Sequence, residues 1–285
     1  MNLENLNFAF FGTSEFAVKI LEKLIENGYI PSLVITVPDK SKGRKMILTP
    51  TPIKVLAQKQ NLKTTQPEKL NSDIQCPSGN FDLFIVADYG KIIPKSVLNL
   101  PKYGTINVHP SLLPKFRGPS PIQSFILSRE KETGVTIMLM DEQVDHGQIL
   151  TQQQCQCFAL TLPKMEERLA ELGGEMLVEV IPKWINGEIK AQEQNHELAT
   201  FTKKIAKEDG LVNLEKDNPE IIYRKFLAFQ PWPGVYYFIK KDEKDMRVII
   251  TDAELKDGKL EIKRIKPEGK NEMDFDIFSK SLGDK

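Results

Sequence analysis

From about residue 7 to residue 188 the chain alternates short apolar runs with stretches of helical period, and this alternation limits the fold more than any other feature. "NFAFFG", "SLVITV", "DLFIVADYG", "GTINVH", "GVTIMLMD" and "GQILTQQQCQCF" read as strands. Between them, "SEFAVKILEKLIENG" places Phe16, Ile20, Leu21, Leu24 and Ile25 on one stripe, with Ser14 at its start and Gly28 at its stop. "PIKVLAQKQ" opens with Pro52, suited to a first helical turn, and "SPIQSFILSRE" is a further helix. A long helix, "LPKMEERLAELGGEMLVEVIPKWING", is expected to be interrupted at Gly173 and Gly174. Strand and helix in alternation predict an α/β fold: a Rossmann-like, mostly parallel sheet with helices on both faces.

Three regions follow from the change in pattern. Residues 1–188 form the expected catalytic domain, and the polar stretch 189–206 reads as a linker. Residues 207–285 carry a short helix, "PEIIYRKFLAFQ", then short strands separated by charged turns. They predict a small β-rich domain, OB-like and a shortened barrel, ending in a frayed "SKSLGDK".

Charge balance excludes one easy answer. Lys+Arg and Asp+Glu are both 39, so a nucleic-acid partner would have to be held by local patches. No signal-like opening and no apolar run of bilayer length is present, so a cytoplasmic protein without a membrane partner is expected. The three cysteines, Cys76, Cys155 and Cys157, fit a reducing compartment rather than a disulfide framework. Cys155 and Cys157 are expected to sit side by side on one strand face, and no metal site is expected. "FGTSEF" lacks the full G-x-G-x-x-G spacing, which argues against dinucleotide binding.

The chemistry concentrates in "INVHPSLLPKFRGPSP", residues 106–121. A strand ends at His109 and a proline-stiffened loop begins. Asn107 and His109 are two apart, so they project from the same face of a strand. In a parallel sheet ligands gather at the carboxyl ends of strands, and "ADYG", "NVHPS" and "MDEQVDHG" are expected to meet there. Asp145 would then reach the Asn107–His109 pair. An amide, an imidazole and a carboxylate around one crevice can stabilise an oxyanion and move a proton. No serine or cysteine stands in an elbow motif, which favours direct transfer between two bound substrates. A histidine at a strand end is more often simply hydrogen-bonded, so these residues alone leave both readings open. His146 reads as a neighbour of the site loop and His196 as a solvated linker residue.

"GTINVHPSLLPKFRGPSPIQ" followed by "ETGVTIMLMDEQVDHGQIL" resembles the signature of the folate-dependent formyltransferases. The likeness extends through "FFGTSEFA", "VPDKSKGRKMILTPTPIKVLAQ", "TKKIAKEDG", "AFQPWPG" and "PEGK", nearly the full length, and is nearest to family members acting on methionyl-tRNA. The resemblance implies a formyl donor, 10-formyltetrahydrofolate, as co-substrate, and the α-amino group of methionine on initiator tRNA as acceptor. It implies Asn107, His109 and Asp145 as the catalytic residues. Ser111, Leu112, Leu113 and Pro114, with Tyr89 and Gly90, would contact the folate. Lys40, Lys42, Arg44 and Lys45, and in the connector Lys203, Lys204 and Lys207, would contact tRNA. A monomer is expected. The interval between "PWP" and "PEGK" is shorter than the family's usual C-terminal barrel. A small amine, such as an amino sugar or glycinamide ribonucleotide, is the alternative acceptor. A catalytically silent folate- or RNA-binding protein is the alternative from another class.

Overall fold

The computed structural model describes residues 6–42, 46–77, 79–157, 159–241 and 244–283. In chain order the elements are β1 (Phe8–Gly12), α1 (Glu15–Glu26), β2 (Leu33–Ile35), β3 (Lys40–Lys42), β4 (Ile47–Thr49), α2 (Pro52–Lys59) and β5 (Thr64–Thr65). They continue with β6 (Leu83–Ala87), α3 (Lys95–Leu98), β7 (Thr105–His109), α4 (Pro121–Leu127), β8 (Thr133–Leu139), β9 (Ile149–Cys155) and α5 (Leu162–Ile185). The remainder are α6 (Pro219–Ala228), β10 (Val235–Lys241), β11 (Lys244–Lys256), β12 (Lys259–Pro267), β13 (Met273–Asp274) and α7 (Phe275–Gly283).

The chain divides into two compact units. The first comprises Met1–Gly118, Glu132–Cys157 and Glu166–Phe201; the second comprises Pro119–Lys131, Phe158–Met165 and Thr202–Lys285. The first unit holds a seven-stranded sheet of order β5-β2-β1-β6-β7-β8-β9. The pairs β5–β2, β2–β1, β1–β6 and β6–β7 are parallel. β1, β6 and β7 are buried along their whole length; β1 and β6 accordingly read as continuous apolar runs, whereas β7 alternates Thr105, Asn107 and His109 with Ile106 and Val108.

The two faces are covered by different helices. Ala9, Phe11, Phe84 and Val86 pack in one buried cluster with Val97 and Leu98 of α3. On the other face α5 lies against β7 and β8, and here the glycine pair has a different role from the one expected. The helix runs unbroken through Gly173 and Gly174. A Cβ on Gly173 would lie 2.6 Å from Val108 Cγ1 and 3.5 Å from Val135 Cγ1, and one on Gly174 would lie 2.7 Å from Lys23 Cβ. The glycines let the helix axis approach the sheet and α1 rather than ending the helix.

Three further local readings are corrected. β8 runs antiparallel to β7, and β9 antiparallel to β8, so "MDEQVDHG" does not leave the sheet at the same end as "NVHPS". The basic "DKSKGRKM" segment, read as a loop, begins as one arm of a two-stranded hairpin, with Lys40 paired to Thr49 and Lys42 to Ile47. Cys155 closes β9, and Cys157 lies beyond it. Their Cα atoms are 5.6 Å apart and the two are joined as a disulfide, with Cys157 buried, so they are not neighbours on one pleated face. A fully extended pair two apart would be separated by about 6.6–6.8 Å; the chain turns as the strand ends.

The second unit contains an antiparallel sheet of order β10-β11-β12-β13, with β10 and β13 at its edges. Ile222, Phe226, Leu227 and Ala228 are the buried side of α6, and Val248, Ile250 and Ile265 are buried positions of the sheet. The tail expected to fray is instead helical through α7, where Phe278 is 3% exposed. Among the described residues no helix is long and apolar enough to cross a membrane.

Replacing Gly173 with alanine forces a methyl against Val108, and overpacking of this kind costs about 1–3 kcal/mol. Urea unfolding of Gly173→Ala is expected to show that loss, and adding Val108→Ala is expected to recover part of it. An unchanged midpoint for Gly173→Ala would refute the tight approach.

Candidate active site

β7 fixes the first two groups. Asn107 pairs with Val86 on one side and Met138 on the other, and His109 pairs with Thr136. The alternation of a strand puts both polar side chains on the face opposite Val108, hence opposite α5. Both are buried, at 8% and 4% exposure.

Asp145 reaches them by a longer route than expected. The segment after β8 folds back before β9 begins, with Leu139 N donating to Gln148 O at 2.8 Å. Asp145 takes a left-handed backbone (φ 49°) and brings Oδ1 to 3.6 Å from His109 Nδ1. Its other oxygen, Oδ2, accepts from Gly118 N at 2.7 Å. On the far side of the ring, His109 Nε2 lies 3.0 Å from Phe116 O. A carbonyl can only accept, so Nε2 carries a proton. The other ring nitrogen, Nδ1, faces the Asp145 carboxylate.

The loop after His109 is held by one hydroxyl. Thr136 is fully buried. Its Oγ1 donates to Ser111 O at 2.6 Å and accepts from Leu113 N at 3.1 Å and Gln152 Nε2 at 2.9 Å. Gln152 Nε2 also donates to Leu113 O at 2.7 Å, and Ser111 Oγ donates to Lys115 O at 2.7 Å. The peptide bond Leu113–Pro114 is cis. Ser111 and Leu113 are buried, whereas Leu112 and Pro114 are partly exposed. Of the four residues expected at the folate, Leu112 and Pro114 are the ones with exposed surface, while the backbone of Ser111 and Leu113 is held inward by Thr136 and Gln152.

Tyr89 and Gly90 differ from each other. The Tyr89 ring is 2% exposed and packs edge-on to Phe11 at 5.4 Å, and burial pushes its hydroxyl up to about 12. Only its backbone is available to a ligand, and its carbonyl already accepts from Thr13 Oγ1 at 2.7 Å. Gly90 is exposed with φ 78° and open space where a Cβ would point. Beside them, at the end of β6, stands a carboxyl that sequence reading missed. Glu166 of α5 is raised from 4.5 to about 7 by burial, and to a lesser degree by the charge of Asp88.

Three other residues were missed. Arg117 is 3% exposed and Gln194 4%; Arg117 donates to Gln194 Oε1 from Nε at 3.2 Å and from Nη2 at 2.6 Å. Burial pulls the guanidinium below its ordinary value, and the charges of Asp145 and Asp141 offset part of this. His196 is exposed, as expected, with Nδ1 2.8 Å from Arg117 Nη2 and its ring stacked on His146 at 4.1 Å. His146 Nδ1 is 2.6 Å from Asp141 Oδ2. Arg117 was signalled by being the one charged residue between Phe116 and the glycine–proline turn, and Thr136 by interrupting an apolar strand. Gln194 had no local signal.

The expected tRNA contacts fall in three places along the chain. Lys40 is exposed on β3, Lys42 ends that strand, and Arg44 and Lys45 lie outside the described residues. Lys203, Lys204 and Lys207 are exposed and belong to the other compact unit.

Two measurements follow from this geometry. Thr136→Val leaves buried partners at Ser111, Leu113 and Gln152 unpaired, for an expected loss of about 1–3 kcal/mol in stability. Unfolding of this variant at the wild-type denaturant midpoint would contradict the brace. For Glu166 the folded value is raised, so its contribution to stability is fully present below about pH 4.5 and is lost as pH rises through about 7. The full shift corresponds to about 3 kcal/mol. Glu166→Gln is expected to melt higher than wild type at pH 8 and with it at pH 4; equal melting at both would contradict the assignment.

Comparison with known proteins agrees with this architecture. The family pattern described as Formyl transferase matches residues 6–181, and that described as Formyl transferase, C-terminal domain, matches residues 204–257. A methionyl-tRNA formyltransferase of Campylobacter curvus is 46% identical over 237 residues, covering 81% of this chain and 77% of the relative. One from Halalkalibacterium halodurans is 40% identical over 242 residues, covering 81% and 74%. Among solved structures, HypX from Aquifex aeolicus in complex with tetrahydrofolic acid superposes with a TM-score of 0.63 at 18% identity, over 98% of this chain and 47% of that one. The chain belongs to the formyl transferase family, as a two-part enzyme of the N-terminal and C-terminal formyl transferase types.

Proposed function

We propose that the protein transfers the formyl group of 10-formyltetrahydrofolate to the α-amino group of methionine on initiator tRNA, giving N-formylmethionyl-tRNA for translation initiation. The observation that carries the chemistry is the 3.6 Å approach of Asp145 to His109, beside Asn107 on the same strand face. The acceptor is inferred from the relatives named for methionyl-tRNA, at 40% and 46% identity over four-fifths of the chain. A small-amine acceptor is not favoured. The folate donor is supported by the family and by the tetrahydrofolic acid bound to the HypX structure.

In this reading Asn107 and His109 flank the formyl carbonyl. The amine nitrogen attacks the formyl carbon, a new N–C bond forms, and the carbonyl electrons move onto oxygen. The Asn107 amide donates to that oxyanion, with the His109 ring beside it. Asp145, facing His109 Nδ1, accepts the proton shed by the attacking amine. As the carbonyl re-forms, the C–N10 bond breaks and N10 of the folate leaves with the proton that Asp145 took from the amine, which returns the carboxylate to its starting state. No acyl-enzyme is formed, so no nucleophilic side chain is required. A carrier loop already ordered by Thr136 and Gln152 loses little entropy when the folate arrives. Lys40, Lys42, Arg44, Lys45, Lys203, Lys204 and Lys207 would bind phosphates, positioning the tRNA without reading much sequence.

The test is a formylation assay with 10-formyltetrahydrofolate and both charged methionine tRNAs, with a nucleotide-linked amino sugar as the competing acceptor. Initiator methionyl-tRNA is expected to be formylated, and Asn107→Ala is expected to lower turnover by about 100- to 1000-fold. Formylation of the amino sugar with methionyl-tRNA untouched would replace the reading with the small-amine one.

A further inference from the structure

Gln194 is 4% exposed, yet it comes from a polar stretch far in sequence from β7 and β8. Its side-chain amide is fully engaged. Nε2 donates to Asp145 O at 3.0 Å and to Gly147 O at 2.7 Å. Oε1 accepts twice from Arg117, from Nε at 3.2 Å and Nη2 at 2.6 Å. A guanidinium only donates and a carbonyl only accepts, so one orientation of the amide satisfies all four contacts. The surrounding chain holds this clamp in place. Gln192 N and Ile149 N exchange bonds with each other's carbonyls at 2.9 and 2.8 Å, Arg117 N donates to Thr200 O at 2.9 Å, and Phe116 N donates to Thr200 Oγ1 at 2.8 Å.

Asp145 needs such a clamp. Its left-handed backbone, φ 49°, is unfavourable for a residue with a side chain and persists only where the surroundings hold it. Its carboxylate is tied by Gly118 N, and Gly118 follows Arg117, which is itself anchored on Gln194. Gln194 therefore holds Asp145 from two directions: directly through the main-chain carbonyl, and through Arg117 at the segment that grips Oδ2.

We propose that Gln194 is a positioning residue for the formyl transfer, holding the Asp145 turn in the conformation that aims Oδ1 at His109. It touches no reacting atom. Residues 192–201, which connect toward the second unit in sequence, thereby form part of the active-site wall. The proposal rests on the reading of Asp145 as the proton-handling carboxylate.

Gln194→Leu removes every contact of the amide, while Gln194→Glu keeps acceptors for Arg117 and removes only the donors to Asp145 and Gly147. Both are measured by kcat and folate KM, by single-turnover formylation of methionyl-tRNA, and by thermal melting, alone and in an Asp145→Asn background. Misplacing a catalytic group by about 1 Å can cost about 100-fold, so each single variant is expected to lose about 10- to 100-fold in kcat with folate KM within about twofold. On Asp145→Asn, either change is expected to remove less than about twofold more, because residues acting through one group are non-additive. Full activity of Gln194→Glu, or the same factor lost in both backgrounds, overturns the proposal. If Gln194→Leu does not fold, the Glu variant decides alone. Unchanged kcat in Asp145→Asn itself would overturn the reading of Asp145 and is separable from a failure at Gln194.

Discussion

The period of a β-strand is the constraint on which the site depends. Three consecutive residues of β7 do two jobs because alternate side chains leave on opposite faces. Val108 turns into the helix-covered side, where Gly173 leaves it just enough room. Asn107 and His109 turn the other way, buried but not packed under that helix. A slip of one residue in register would exchange these faces, burying the imidazole against α5 and presenting a valine to the ligand. The register is held on both sides, by β6 in parallel and β8 in antiparallel pairing, so the placement of the pair follows from sheet formation itself.

Around that pair, two buried polar side chains have their hydrogen bonds complete. The Thr136 hydroxyl binds three partners and the Gln194 amide four contacts, and each sits at a point where a loop must be held without a regular element to hold it. The carrier loop and the Asp145 turn are thus ordered before any substrate binds. Direct transfer needs such order: with no covalent intermediate, acceleration comes from holding the attacking nitrogen, the formyl carbon and the proton acceptor in line. Glu166 differs, a partly buried carboxyl raised by its surroundings and without a role in the transfer.

How much of this was legible in the sequence depended on how local each feature was. The strands and helices of the first unit could be read because burial on both sheet faces leaves continuous apolar runs, and Asn107 with His109 followed from spacing alone. Strand direction could not be read. "GVTIMLMD" looks the same parallel or antiparallel, so the carboxyl end of β8 was assigned to the wrong end of the sheet, although Asp145 still arrives by way of a returning turn. Gly173 and Gly174 looked like a break because helix propensity is local, whereas the reason for them is the proximity of Val108 and Lys23. Gln194 lies in a stretch with the composition of a linker, and its burial depends on Arg117, 77 positions away. The inward turn of the Tyr89 ring was hidden for the same reason, although its strand-end position was visible.

The central claim is spatial: one formyl carbon sits among Asn107, His109 and Asp145. A structure of the protein bound to 5-formyltetrahydrofolate, the stable isomer of the donor, measures this directly. The account predicts the folate seated along Leu112–Pro114, with its formyl-bearing end within hydrogen-bonding reach of the Asn107 amide and the His109 ring. A folate bound with that end turned away from β7, or with His109 and Asp145 drawn apart around it, would contradict the account.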